Sequence, residues 1–250
     1  MEDLVGLLER HGFVAAGEEA AELKAFAAGD EALLSAAVRR RLTGEPLAWI
    51  VGGADFCGLR VGVERGVYVP RWQTELLAQR ALARLPPGGI AIDLCTGSGA
   101  LALVLAPRAA RVLATDVDAA SVACARANGV EALAGDLFAP LPAALRGAVD
   151  VVCGVVPYVP TSELSLLQRD TFTFETPLAY DGGPDGCAVL RRAVVGAAAF
   201  LRPGGALLLE LGGDEAQLVD ADLTAAGFTA VVVLRDEDGD VRGIEATLAP

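Results

Sequence analysis

The stretch Ile92-Asp-Leu-Cys-Thr-Gly-Ser-Gly-Ala100 decides the fold of this chain. The apolar run Ile90–Leu94 leads into it and the alanine- and leucine-rich segment Ala100–Ala106 leaves it, the pattern of a strand, a tight turn and a helix. Gly97 and Gly99 let the backbone approach a ligand closely, and the N-terminus of the following helix favours an anionic group. The dinucleotide fingerprint GxGxxG is not completed, because position 102 is Ala. Working outward, Asp116 ends the next strand about 20 residues on, where a carboxylate can bind both hydroxyls of a ribose. Gly135-Asp-Leu-Phe138 ends the third strand, where Asp136 and a backbone amide can hold an adenine edge. A glycine turn, a ribose acid and an adenine acid at three successive strand ends describe a nucleoside site. Without a second phosphate-binding glycine, the site suits S-adenosyl-L-methionine better than NAD.

The same alternation runs to the C-terminus. Strands are expected at Ile90–Leu94, Val112–Thr115, Val130–Leu133, Val149–Cys153, Ala206–Leu211, Ala230–Leu234 and Gly243–Thr247. Helices are expected at Ala100–Ala106, Ala119–Asn128, Ala188–Phe200 and Glu215–Ala226. This pattern implies a parallel sheet covered on both faces, with ligands outside the carboxyl ends of the strands. The last two strands flank Asp236-Glu-Asp-Gly-Asp240, too short for a helix, so they should pair antiparallel as a hairpin at the sheet edge. Toward the N-terminus, residues 2–43 carry apolar positions at helical spacing, and Gly12 and Gly29-Asp30 divide them into three short helices. Leu47–Val51, Leu59–Val61 and Val67–Val69 read as β-type runs forming a hairpin or small sheet, and Pro70 precedes a helix over Glu75–Leu85. Pro160–Pro184 has no clear periodicity and follows a strand end, where binding loops belong.

Composition narrows the function. The 250 residues hold 33 acidic and 20 basic side chains, a net charge of −13, which opposes a protein whose affinity comes from neutralising phosphates. Although 53% of residues are hydrophobic, no run of about 18 apolar residues exists, and Met-Glu-Asp lacks the basic start of a signal peptide. The expectation is a soluble, cytoplasmic protein with no direct nucleic-acid or membrane partner. The single His, His11, lies far from every motif and reads as a surface or helix-end residue. Cys57, Cys95, Cys124, Cys153 and Cys187 form no CxxC pair and read as small buried hydrophobes, so no metal site is expected.

Further segments carry a resemblance. Arg40-Arg-Leu-Thr-Gly-Glu-Pro-Leu-Ala-Trp-Ile50, Phe56-Cys-Gly-Leu59 and Val69-Pro-Arg-Trp-Gln-Thr-Glu75 are similar to segments of the bacterial protein-glutamine N5-methyltransferases. These are the HemK-like enzymes that modify peptide-chain release factors. Asp93–Gly99 resembles that family's DLGTGSG and Gly135–Phe138 its GDLF. Glu175-Thr-Pro-Leu-Ala-Tyr-Asp-Gly-Gly-Pro-Asp-Gly186 resembles its E-P-x-x-AL-x-GG-x-DG stretch, and Pro203-Gly-Gly205 with Glu210 its PGG-x-l-x-x-E. The likeness runs from about residue 39 to the end.

The resemblance implies an α/β class I S-adenosylmethionine-dependent methyltransferase, Rossmann-like, with a mostly parallel sheet and an antiparallel edge hairpin. Residues 1–70 would form a helical N-terminal domain plus β-hairpin, and residues 71–250 the methyltransferase domain. Asp93, Cys95, Thr96, Gly97, Ser98, Gly99, Asp116, Val117, Asp136 and Leu137 are the expected cofactor residues. Val155, Val156, Pro157 and Tyr158 stand where the family carries its catalytic NPPY loop, and Glu175, Pro157 and Tyr158 are the expected substrate contacts. In that family the Asn side chain and a backbone carbonyl accept hydrogen bonds from the substrate amide, and the Tyr packs on the amide plane.

An amide nitrogen shares its lone pair with its carbonyl, so acceptors must orient it and build charge on it. Val155 cannot accept a hydrogen bond, and the only Asn, Asn128, follows another helix. Losing one acceptor costs about 1–3 kcal/mol, or roughly 5- to 150-fold in rate. Cys95 stands where the family has a glycine, and a cysteine fits there if its φ is negative.

The expected reaction is methyl transfer from S-adenosyl-L-methionine to a glutamine side-chain amide in a release factor. Two alternatives stay open: an N-methyltransferase for another protein or small-molecule acceptor, and a cofactor-binding relative without turnover. Elsewhere, Trp49 and Trp72 are expected to pack, and Arg71, Thr74 and Glu75 to order the hinge under the cofactor. Phe172 and Phe174 either line the entrance or anchor the loop, and Asp181–Gly186 belongs to the candidate substrate loop.

Overall fold

The computed structural model describes residues 3–167 and 173–250. Three short helices open the chain: α1 (Leu4–Arg10), α2 (Ala16–Ala27) and α3 (Glu31–Leu42). Asp3 and Asp30 cap the first and third by accepting from the backbone N–H groups of Val5, and of Ala32 and Leu33. Their apolar faces meet around Leu8, Leu23, Ala37 and Ile50, a cluster distinct from the cores of the main sheet. His11 ends α1 with Nδ1 2.9 Å from the Leu7 carbonyl, a helix-end residue.

Two of the three β-type runs expected near here are not strands. Leu47–Val51 is a helical turn, α4, stopped by Gly52 at φ +81. Five apolar residues fit either period, and Pro46 at the cap starts the helix. Val67–Val69 is loop; it takes no part in either sheet. Only Leu59–Val61 lies in a strand, β2 (Leu59–Gly62), which pairs antiparallel with β1 (Gly53–Phe56).

From α5 (Glu75–Arg84) the expected alternation follows: β3 (Gly89–Leu94), α6 (Ala100–Leu105), β4 (Ala109–Asp116), α7 (Ala119–Ala127), β5 (Glu131–Ala134) and β6 (Val149–Gly154). Then come α8 (Ala188–Phe200), β7 (Leu201–Glu210), α9 (Glu215–Leu218), α10 (Asp220–Ala225), β8 (Phe228–Arg235) and β9 (Val241–Leu248). The helix expected over Glu215–Ala226 is thus two, broken at Val219.

The sheet order is β5-β4-β3-β6-β7-β9-β8, parallel from β5 to β7 and antiparallel at β9 and β8. The final hairpin is therefore antiparallel as expected, with its second strand inside, between β7 and β8. Glu245 on β9 is 3% exposed and is tolerated there because Arg80 and Arg84 of α5 ion-pair with it.

One face of the sheet packs α8 and α10 around Ile92, Val152, Leu190 and Phe200. The other packs α5 and α6, with Phe56 and Val61 of the hairpin. The chain leaves β3 toward β4 and returns to β6 on its other side, so the sheet's switch point lies between β3 and β6. A crevice opens at the carboxyl ends of strands at such a point.

Candidate active site

The cleft at the switch point has a volume of about 480 Å³, within the range of small-molecule sites. Its floor is the turn between β3 and α6. Gly99 takes φ +88, and a Cβ there would meet Val130 Cγ2 at 2.8 Å. At Gly97 (φ +55) a Cβ would instead face Tyr68 at 3.8 Å, across the cleft, so the glycine keeps that space open. Asn128 braces the turn from outside: its Nδ2 donates to the carbonyls of Ser98 (2.9 Å) and Gly62 (2.8 Å). It is committed there, away from the cleft wall.

Cys95 takes φ +53, so the condition of a negative φ is not met. A non-glycine residue in the left-handed region costs about 1–2 kcal/mol. Burial, with Asp116, Asp93 and Asp136 nearby, pushes its thiol well above the ordinary range, so it stays protonated.

Asp93 is buried at the end of β3. Its Oδ2 accepts from Thr96 Oγ1 (2.6 Å) and the Ala102 N–H (3.2 Å), while its Oδ1 is buried with no hydrogen-bond partner. Burial raises its carboxyl to about 7 against those two hydrogen bonds, with Asp116 adding to the rise. Asp116, ending β4, accepts from the N–H groups of Gly97 (2.9 Å) and Asp118 (2.9 Å), which aims it along the cleft rim. Asp136 and Leu137 follow β5; Asp136 also pairs with Arg192 of α8, a partner its motif did not signal. Val117 is half exposed at the rim, and Thr96 and Ser98 are buried beneath the turn.

The loop after β6 divides its four residues. Val155 and Pro157 line the cleft, Val156 is fully buried in the core, and Tyr158 faces a neighbouring cavity of about 450 Å³. Tyr158 Oη donates to Glu210 Oε1 (3.1 Å), and Thr74 Oγ1 donates to Glu210 Oε2 (2.5 Å). Burial, followed by the Glu210 charge, pushes the Tyr158 phenol far up, so it remains a donor. Tyr68, Tyr180, Arg71 and Trp72 share the walls of this second cavity.

Glu175 lines neither cavity. Its Oε1 accepts from the Val69 N–H (3.0 Å), and its Oε2 from Arg71 (2.5 Å) and the Tyr180 hydroxyl. It ties the loop before α5 to the loop after β6. Trp49 packs as expected, with Nε1 donating to the Val67 carbonyl (2.9 Å) and Phe174 set edge-on at 6.4 Å. Trp72 does not: it is 67% exposed, with the Arg242 guanidinium 5.8 Å from its ring. Phe172 lies outside the described residues.

The chain is similar to several known proteins. No family model matches the chain. The release factor glutamine methyltransferase of Moorella thermoacetica is 41% identical over 205 residues, 76% of this chain and 70% of that protein. That of Mycolicibacterium smegmatis is 41% identical over 211 residues, 81% and 74% of the two chains. The chain belongs to the release factor glutamine methyltransferase family. Among solved structures, the Mtq2–Trm112 complex of E. cuniculi, responsible for methylating the eRF1 translation termination factor, aligns with a TM-score of 0.55 at 25% identity. It covers 74% of this chain and 99% of that one. A ribosomal protein L11 methylase from Lactobacillus delbrueckii (TM-score 0.55, 18% identity, 76% and 86% covered) shares the fold. Sequence patterns of the family pointed to the glycine turn and the strand-end acids. Tyr68 and Arg192 had no such signal, and the pairing of Tyr158 and Thr74 on Glu210 had none either, because the partners come from elements remote in sequence.

Proposed function

We propose that this protein transfers a methyl group from S-adenosyl-L-methionine to the side-chain amide nitrogen of a glutamine in a peptide-chain release factor. The observation that carries the reading is the cleft at the β3–β6 switch point, which joins a nucleoside-type cradle to the loop after β6. The residues present fit S-adenosylmethionine. Gly97 keeps its side of the cleft open, the Asp116 carboxylate suits ribose hydroxyls, and Asp136 with the Leu137 amide suits an adenine edge. The unpartnered Asp93 Oδ1 suits a cationic group at the turn.

When bound, S-adenosylmethionine supplies a methyl group on a sulfonium centre and a neutral thioether as leaving group. The chain's own part is positioning, the main barrier in an in-line transfer. Pro157 and the carbonyls around Val155 and Val156 hold the amide, and Tyr158, fixed by a Glu210 that Thr74 holds in turn, borders it from the adjoining cavity. Glu175 acts through Arg71 and Tyr180 by shaping the wall, a positioning role. Residues 1–70 form the unit that grips the protein substrate and residues 71–250 the methyltransferase unit. On the same reading the protein works in the cytoplasm.

The test is a labelled-methyl assay on purified release factor, with the product peptide mapped. One methyl on a glutamine side chain is expected. Transfer to no residue of the release factor, with S-adenosylmethionine still bound, contradicts the reading and leaves another acceptor or a non-catalytic relative. Val155→Asn then separates those two: a large gain on release factor marks lost activity, and no gain marks a changed substrate.

A further inference from the structure

Val155 leaves the acceptor nitrogen without the side-chain hydrogen-bond acceptor that its transfer calls for, and Asn128 is held elsewhere by Gly62 and Ser98. The other polar side chains on the cleft wall are placed or committed differently: Tyr68 packs against Tyr180 and the Arg71 guanidinium, Arg192 pairs with Asp136, and Thr115 is fully buried on β4. Asp116, Asp118, Ser121 and Asp136 stand at the ends of β4 and β5 or on α7, at the nucleoside end. Thr176 uses its hydroxyl to cap a turn, accepting from the Leu178 N–H at 3.3 Å. Asp181 is different, because it is fixed to the segment that carries Pro157 and Tyr158.

That attachment is close and built from several contacts. Asp181 pairs with Val159 in an isolated parallel bridge, with the Val159 N–H donating to the Tyr180 carbonyl and the Gly182 N–H to the Val159 carbonyl, both at 2.9 Å. Thr161 N–H donates to the Gly183 carbonyl at 2.9 Å. The turn lies so close that a Cβ on Gly182 would meet Tyr158 Cα at 2.8 Å, and one on Gly186 the Tyr158 carbonyl oxygen at 2.4 Å. The carboxylate itself is held by one oxygen: Oδ1 accepts from Thr161 Oγ1 (2.6 Å) and the Gly183 N–H (3.0 Å). These two donors hold it below the usual carboxylate range, so it is ionised at neutral pH. No hydrogen bond among the described residues uses Oδ2, and Asp181 lines the same cleft as Val155 and Pro157.

We propose that Asp181 is the catalytic hydrogen-bond acceptor of this chain, its Oδ2 taking an N–H of the methyl-accepting amide in place of the side chain that Val155 lacks. The inference rests on the glutamine methyltransferase reading given above. A charge-assisted hydrogen bond of this kind orients the nitrogen and favours positive charge on it. In the transfer, the amide nitrogen lone pair forms the N–CH₃ bond as the S–CH₃ bond breaks, its electron pair passing to sulfur. The nitrogen then carries the positive charge and one proton too many. An N-protonated amide is a far stronger acid than a carboxylic acid, so that proton passes to Asp181 Oδ2 and on to water, leaving a neutral N-methylamide and a neutral thioether.

The test is a double-mutant cycle with full-length protein, S-adenosylmethionine and purified release factor, comparing wild type, Asp181→Ala, Val155→Asn and the double variant. Expected is a fall in kcat of about tenfold or more in Asp181→Ala, with S-adenosylmethionine affinity measured by calorimetry unchanged. In the Val155→Asn background the same change should cost far less, because the asparagine supplies the acceptor. A purely structural role for Asp181 gives equal losses in both backgrounds, and that result overturns the inference, as does an Asp181→Ala enzyme with wild-type kcat. Thr161→Val, which removes one tether and keeps the carboxylate, should give a smaller fall in kcat than Asp181→Ala; a larger one overturns the inference. Wild-type protein that binds S-adenosylmethionine but leaves the release factor unmethylated overturns the glutamine reading and this inference with it. An active wild type that is insensitive to Asp181 overturns the inference alone.

Discussion

Cys95, in the turn that floors the cleft, and Asp93, two residues earlier at the end of β3, are both held under constraint. Cys95 holds φ +53, a conformation a glycine adopts freely. Cys95→Gly should therefore keep or raise stability, by up to about 1 kcal/mol after the entropy of glycine is counted, whereas Cys95→Val should lose about 2 kcal/mol or more. Thermal unfolding of the two variants checks this, and a Cys95→Gly protein that melts well below wild type contradicts it. Asp93, buried beneath the turn and outside the cleft lining, makes stability sensitive to pH. Its folded carboxyl is raised from 3.8 to about 7, so the native state holds a proton that the unfolded chain has released. That proton makes free-protein stability fall as pH rises between those two values, and the difference between wild type and Asp93→Asn should follow that slope. On the proposed reading, in which the unpartnered Asp93 Oδ1 answers a cationic group of the bound cofactor, that group favours the ionised form. Affinity for S-adenosylmethionine should then rise as pH approaches about 7 and level off above it, while Asp93→Asn stays flat; calorimetry from pH 5.5 to 8.5 reads the difference.

At the scale of elements, the turn at 181–186 is built on two close approaches that no side chain permits. A Cβ on Gly182 would lie 2.3 Å from the Gly186 carbonyl oxygen, and both are backbone that cannot swing aside. Gly182→Ala should destabilise the protein by about 1–3 kcal/mol, a drop in Tm of roughly 2–10 °C, and lower kcat by shifting Asp181 and Tyr158 together. Gly17, inside α2 with open space around its Cβ position, is the counter-case: Gly17→Ala should gain about 0.5–1 kcal/mol and leave methyl transfer unchanged. The elements themselves were legible where period and punctuation agree, as in Ala188–Phe200 and the strands β3 to β6. They were not legible where a short apolar run fits two periods, as Leu47–Val51 does. The order of the last hairpin was also hidden. Val231, Val232 and Val233 read as the more apolar strand yet lie 37–47% exposed at the sheet edge. The inner strand carries Glu245, whose burial depends on Arg80 and Arg84, more than 150 residues away along the chain.

On the scale of the whole molecule, function follows from where the strand order reverses, between the parallel strands β3 and β6. The glycine turn, Asp116, Asp136 and the Val155–Tyr158 loop are far apart in sequence and meet because β3, β4, β5 and β6 all end at one edge. Local motifs showed these ends; the cross-links that close the site, Glu175 with Arg71 and Glu210 with Thr74, span more than 100 residues and follow only from the packing. Among the described residues no helix is long and apolar enough to cross a membrane, and no cluster of His, Cys, Asp and Glu is arranged to hold a metal. The account depends on the cleft taking S-adenosylmethionine. The most direct measurement is a calorimetric titration of wild-type protein and Asp116→Ala with that compound. Saturable binding at one site per chain, weakened strongly by Asp116→Ala, is the predicted result. No binding, or binding that Asp116→Ala leaves unchanged, would contradict the account.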